Sequence, residues 1–149
     1  MALSLELKPG EKVIIGDSIV TNDSQRIRIF VEGHAPVLRE KDIMTIDTAT
    51  TPARRIYLTV QLMFLGGNIE ELRRNYLDFV SDIIAASPSS TPIIIKISEH
   101  IIAENYYRAM KEARKLIEYE EMLARHLAQS QSAEAGDAEA AAEPDLPSA

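Results

Sequence analysis

The chain has 149 residues, enough for one domain with a core of its own, and it contains no cysteine and no tryptophan. Without cysteine there are no disulfides, no thiolate catalysis and no Cys-ligated zinc or iron–sulfur site. Lys and Arg number 16 against 23 Asp and Glu, a net charge of −7, which excludes the broad basic footprint of a general nucleic-acid binder.

The acidity is uneven. Residues 129–149 hold Glu134, Asp137, Glu139, Glu143 and Asp145 and no Lys or Arg, so the remainder is near neutral, with 16 basic against 18 acidic residues. No apolar run approaches the roughly 18 residues of a transmembrane helix. The N-terminus alternates in polarity and lacks the basic-then-apolar order of a secretory signal. The expectation is a cytoplasmic chain with no membrane partner.

Residues 1–50 read as β. Leu3, Leu5 and Leu7 alternate with Ser4, Glu6 and Lys8, the period of a strand with one buried face. Pro9-Gly10 marks a turn, and Val13-Ile14-Ile15 forms a second run, closed by Gly16-Asp17 or continued by Ile19 and Val20. After the polar cluster Thr21-Asn22-Asp23-Ser24 come Arg26-Ile27-Arg28-Ile29-Phe30-Val31, then a break at Gly33-His34-Ala35-Pro36, then Val37-Leu38. Strands so closely spaced predict a small antiparallel sheet or barrel. So short a segment makes a marginal core alone, so it should lean on another element or on a second copy, as in a homodimer.

Residues 51–128 read as α. Thr51-Pro52 is a cap followed by a first-position proline. Residues 56–65 are almost wholly apolar, Gly66-Gly67 stops the helix, and Asn68 caps the next, with Glu70 and Glu71 at its positive end. Thr91-Pro92 repeats the opening. Ile93-Ile94-Ile95 suits either a strand or a helix, and the cap favours helix. Ile102, Tyr106, Ala109, Ala113, Leu116, Leu123 and Leu127 then keep a three–four spacing broken only at Glu120. The predicted class is α+β: an N-terminal antiparallel β domain (1–50), a three-helix antiparallel bundle (51–128) and a disordered acidic tail (129–149).

Catalytic constellations are not evident. His34, His100 and His126 have no second ligand at metal spacing, Gly66-Gly67 lacks the Gly-Lys-Ser/Thr of a phosphate loop, and no serine sits in a nucleophile elbow. The expectation is a non-enzyme without cofactor or metal.

The ordered pattern Leu3-x-Leu5-x-x-Lys8-x-Gly10-Glu11, Ile15-Gly16-Asp17, Arg26-Ile27-x-Ile29 and Ala35-Pro36-Val37-x-Arg39-Glu40 resembles the carbon storage regulator family of small RNA-binding proteins. That resemblance implies an all-β fold that exchanges strands between two subunits, with RNA bound where the first and last strands meet. It implies Arg39 of the Arg39-Glu40 pair as the main RNA contact, with Leu5, Lys8, Val37 and Leu38 at neighbouring positions. Arginine's planar fork of donors suits a phosphate or a guanine edge. The chain departs from the family where Leu7-Lys8 replaces two arginines, and Glu6 adds a charge unfavourable to RNA.

Over residues 1–128 the chain also resembles the FlbT family of flagellum biosynthesis repressors. The resemblance rests on Leu7-Lys8-Pro9-Gly10-Glu11, Arg54-Arg55-Ile56-Tyr57, Gln61-Leu62-Met63-Phe64 and Tyr106-Tyr107-Arg108-Ala109-Met110-Lys111. It implies a regulator acting after transcription, which associates with the 5′ untranslated region of a flagellin messenger and promotes its decay or represses its translation; some members act positively. The alternative is an adaptor or chaperone-like module whose helices bind a flagellin, a flagellin chaperone or another flagellar regulator. Arg54, Arg55, Arg73 and Arg74 are then candidate partner contacts.

Overall fold

The alternating leucines become strand β1 (Ala2–Leu7), with Leu5 and Leu7 buried and Ser4 and Glu6 facing outward. Strands β2 (Lys12–Ile15), β3 (Ser18–Thr21), β4 (Ile27–Glu32) and β5 (Val37–Arg39) follow, all antiparallel to their partners. A computed structural model describes residues 2–142 of the chain, with side chains to residue 132.

The strands form two sheets: a ribbon, β1–β4, and a three-stranded sheet in the order β3–β2–β5. Ile19 and Val20 are not a continuation of the second strand. Gly16, at φ 65°, and Asp17 turn the chain, so Ile19 pairs back against Ile14 and Val20 against Val13.

Alternation splits the three-stranded sheet between two cores. On one face Val13 packs with Leu5 and Leu7, joined by Ile15, Ile29, Val31 and Val37. On the other face Leu38, 1% exposed, and Ile14 belong to the helical core. The sheet is therefore the middle layer between ribbon and helices, and the short β segment leans on the helices of its own chain.

Four α-helices follow: α1 (Pro52–Phe64), α2 (Ile69–Ala86), α3 (Thr91–Ile102) and α4 (Tyr106–Ala142). The Thr51 hydroxyl accepts the Arg54 N–H at 3.2 Å, and the Asn68 side chain accepts that of Glu71. Helix α4 packs on α1 and α3, and α1 also packs on α2. None of the described helices is long and apolar enough to cross a membrane.

One expectation changes here. The predicted third helix is two helices, broken at Ala103-Glu104-Asn105. Glu104 takes φ 58°, the Glu104 and Asn105 N–H groups bond the Ile101 and His100 carbonyls, and the Asn105 side chain caps α4. At the C-terminal end, α4 extends to Ala142. Residues 143–149 lie outside the described residues.

Glu120, the polar break in the α4 seam, has a structural partner: its carboxylate accepts the Ala53 N–H at 3.0 Å, an orphan donor of the first turn of α1. Gln61, 3% exposed, fastens the β-to-α connection. Its amide donates to the Met44 carbonyl at 3.0 Å and accepts the Met44 N–H at 2.7 Å, as a neighbouring strand would.

Candidate nucleic-acid interface

Lys8-Pro9-Gly10-Glu11 closes β1 into β2. Glu11 N–H bonds the Lys8 carbonyl at 3.0 Å and Gly10 sits at φ 75°, the left-handed third residue of a type II turn. The Glu11 carboxylate returns to the Lys8 N–H at 2.9 Å. The buried Asn22 side chain donates to the carbonyls of Leu7, Lys8 and Gln25, which pins the turn beneath.

Arg39, the last residue of β5, reaches across to this turn. Its Nη2 donates to the Glu6 carbonyl at 3.0 Å and lies 3.8 Å from the Glu11 carboxylate, while its buried Nε has no partner among the described residues. The guanidinium thus links β1 to β5, which share no strand pairing.

Glu6 is opposite Arg28 in the ribbon register. Its carboxylate accepts from Arg28 at 2.8 Å and lies 3.9 Å from Arg26. The Arg28 hydrogen bond and charge, with smaller help from Arg26 and Arg39, hold the Glu6 carboxyl below the usual carboxylate range. Glu6 is therefore the counter-ion of Arg28 and Arg26, and Arg39 has Glu11 as its own, so the local balance is positive. Arg26 and Arg28 were absent from the sequence-derived site, because their meeting with Glu6 depends on the pairing of β1 with β4. Once that pairing is known, the alternation of the two strands suffices to find it.

Lys8, Arg39 and Glu40 line one groove of about 530 Å³, together with Lys41 and the Pro9-Gly10 turn. Leu5, Val37 and Leu38 lie beside Arg39 along a second groove of about 1000 Å³ between β1 and β5, which Lys41 also enters. The six residues named from the sequence are thus brought together around Arg39, in two roles. Leu5 and Leu38 are core side chains, 5% and 1% exposed, whereas Lys8 and Glu40 are at the surface. Glu40 also accepts the Lys12 N–H at 3.4 Å.

The four helical arginines do not form one cluster. Arg54 pairs with Glu121 at 3.3 Å, Arg55 is exposed on α1, and Arg73 and Arg74 are exposed on α2. Among the described residues no group of three His, Asp or Glu side chains is placed to hold a metal ion.

The model of the family described as flagellar protein FlbT matches residues 3–124. The chain is 49% identical over 124 residues to a probable flagellum biosynthesis repressor protein FlbT 1 of Bradyrhizobium diazoefficiens, covering 83% of this chain and 85% of that protein. It is 46% identical over 123 residues to a probable flagellum biosynthesis repressor protein FlbT of Rhodopseudomonas palustris, covering 83% of this chain and 98% of that protein. It is 41% identical over 143 residues to the flagellum biosynthesis repressor protein FlbT of Caulobacter vibrioides, covering 93% and 99%. No solved structure matches.

Proposed function

The chain belongs to the flagellar protein FlbT family, and on that footing we propose that it regulates flagellum biogenesis after transcription, without catalysis, by associating with the 5′ untranslated region of a flagellin messenger. The observation that carries the RNA part of this reading is the convergence of Lys8, Arg39 and Lys41 on one groove, beside the Arg26–Arg28–Glu6 cluster. Five of the six cations in residues 1–50 thereby gather around three carboxylates, Glu6, Glu11 and Glu40, although that segment as a whole is acidic. Splayed nucleotides of a single-stranded loop are read by such short stretches of donors and apolar wall. Bound there, the protein would control ribosome access to the leader or its exposure to nucleases.

A filter-binding titration tests the reading. The flagellin leader RNA should bind more tightly than an unrelated RNA of equal length, and Arg39→Ala should weaken binding about ten-fold or more, as for loss of a charge-assisted donor. Thermal melting of the same variant separates lost contact from lost fold, and Arg39→Lys keeps the charge without the fork. Equal affinity for leader and unrelated RNA would sink the proposal.

A second reading has its own support. Leu77 and Ile84 on α2 are 62% and 36% exposed, and Ile95 and Ile102 on α3 are 51% and 78% exposed, each pair two turns apart on one helix face. These faces suit an adaptor role toward a flagellin, a flagellin chaperone or another regulator. Retention of such a protein in an RNase-treated pull-down, lost on Ile95→Glu or Leu77→Glu, supports it; retention indifferent to both changes argues against these faces.

A further inference from the structure

Helix α4 is set against the 3-10 turn at Glu40–Asp42, and the groove between them, about 270 Å³, collects Lys41, Lys111 and Arg114 against one carboxylate, Asp42. Asp42 is already engaged: Arg114 Nη2 lies 3.3 Å from it. Arg114 also donates to the Tyr57 hydroxyl at 3.1 Å, and that hydroxyl donates to the Asp42 carbonyl at 2.6 Å. This fixes one wall of the groove. Lys41 and Lys111 have no carboxylate within salt-bridge distance among the described residues.

Tyr107, 43% exposed, lines the same groove from the first turn of α4, with the Lys111 ammonium 4.9 Å above its ring and Phe64 at its side at 5.8 Å. An exposed aromatic ring flanked by free cations is what a nucleotide needs: a π-face for the base and positive charge for the attached phosphate. The groove is not isolated. Lys41 also lines the groove of Lys8 and Arg39, so the positive strip continues from the sheet onto the helices.

We propose that this groove takes one nucleotide of single-stranded RNA, its base stacked on Tyr107 and its phosphate held by Lys41 and Lys111. The proposal rests on the RNA reading above and extends that surface from β5 to α4. The base displaces the Lys111 ammonium from the ring face by rotation of an exposed, flexible side chain, which leaves the ammonium beside the phosphate. Helices and strands then contribute to a single RNA path.

Fluorescence anisotropy of the full chain with a labelled flagellin leader RNA, and with an unrelated RNA of equal length, tests this. Tyr107→Leu should weaken leader binding about ten-fold while Tyr107→Phe stays within about two-fold, because stacking needs the ring and not the hydroxyl. Lys111→Gln should weaken binding about three-fold and flatten the dependence of log affinity on log salt by about 0.7, the value of one single-strand phosphate contact. Melting temperatures of these variants should match the parent, since both side chains are exposed. If Arg39→Ala weakens leader binding while Tyr107→Leu and Lys111→Gln bind as the parent does, the site ends at the sheet and the inference falls, with the RNA reading intact. If the parent chain does not prefer the leader, the RNA reading falls and takes the inference with it.

Discussion

Gln61 illustrates how one buried side chain replaces missing secondary structure. The segment after β5 has no strand partner at Met44, and the Gln61 amide supplies both a donor and an acceptor there. Gln61→Met keeps the volume but strands both Met44 groups, so it should cost about 2–3 kcal/mol in urea unfolding at an unchanged m value. A smaller loss than Ile56→Val would contradict this account. Tyr57 and Tyr76 belong to the same scale. Burial raises both phenols above the ordinary tyrosine value; the Arg114 hydrogen bond opposes it at Tyr57 and the Ser98 hydrogen bond at Tyr76. A folded pKa above the unfolded one means that this stabilisation is complete below the ordinary tyrosine range, about pH 10, and is lost as the pH climbs toward the folded values. In a tyrosinate absorbance titration, Tyr57→Phe and Tyr76→Phe should each remove part of the late step; an unchanged late step in both would refute the assignment.

At the scale of elements, the ends of α1 and α3 use the same hydrogen bonds with different residues. After α1, the Gly66 and Gly67 N–H groups bond the Met63 and Leu62 carbonyls, with Gly66 at φ 91°. After α3 the same pattern places Glu104 in the left-handed region. Gly66-Gly67 is a readable stop, whereas Glu104 reads as a helix former, which is why the sequence predicts one helix where there are two. Glu104→Gly should therefore stabilise the chain by about 1 kcal/mol, seen as a higher melting temperature. Glu120 shows the converse. As an interruption of an apolar seam it reads as a flaw, but it caps α1 from a distance of 67 positions. Glu120→Ala should cost about 1 kcal/mol and Glu120→Gln, which keeps an acceptor, clearly less; equal losses would show that the cap is not what matters.

For the whole molecule, the three-stranded sheet couples ribbon to helices. Leu38→Ala opens a cavity in the helical core although Leu38 belongs to a strand, and should cost about 2–5 kcal/mol. Strands and helices should then melt in one transition, and resolved transitions would show that the shared layer does not couple them. The net charge of −7 gives a misleading picture of the surface, because charge acts locally. With Lys8, Arg39, Lys41 and Lys111 as phosphate contacts, log affinity for leader RNA should fall with log salt with a slope of about −3. A slope near zero would remove phosphate contacts from the account.

The sequence by itself determined the class and nearly every element. Strand period, turn residues and helix caps act within a few positions, so the alternating leucines, Thr51-Pro52 and Asn68 suffice to place β1, α1 and α2. It also singled out Arg39 and Lys8, which the fold does bring to one groove. Tertiary structure alone decided the rest: that Leu38 faces helices, that Glu6 answers Arg28 and Arg26, and that Lys41, Tyr57 and Tyr107 share a groove. These side chains are distant along the chain, and packing between layers, not local preference, sets which of them meet.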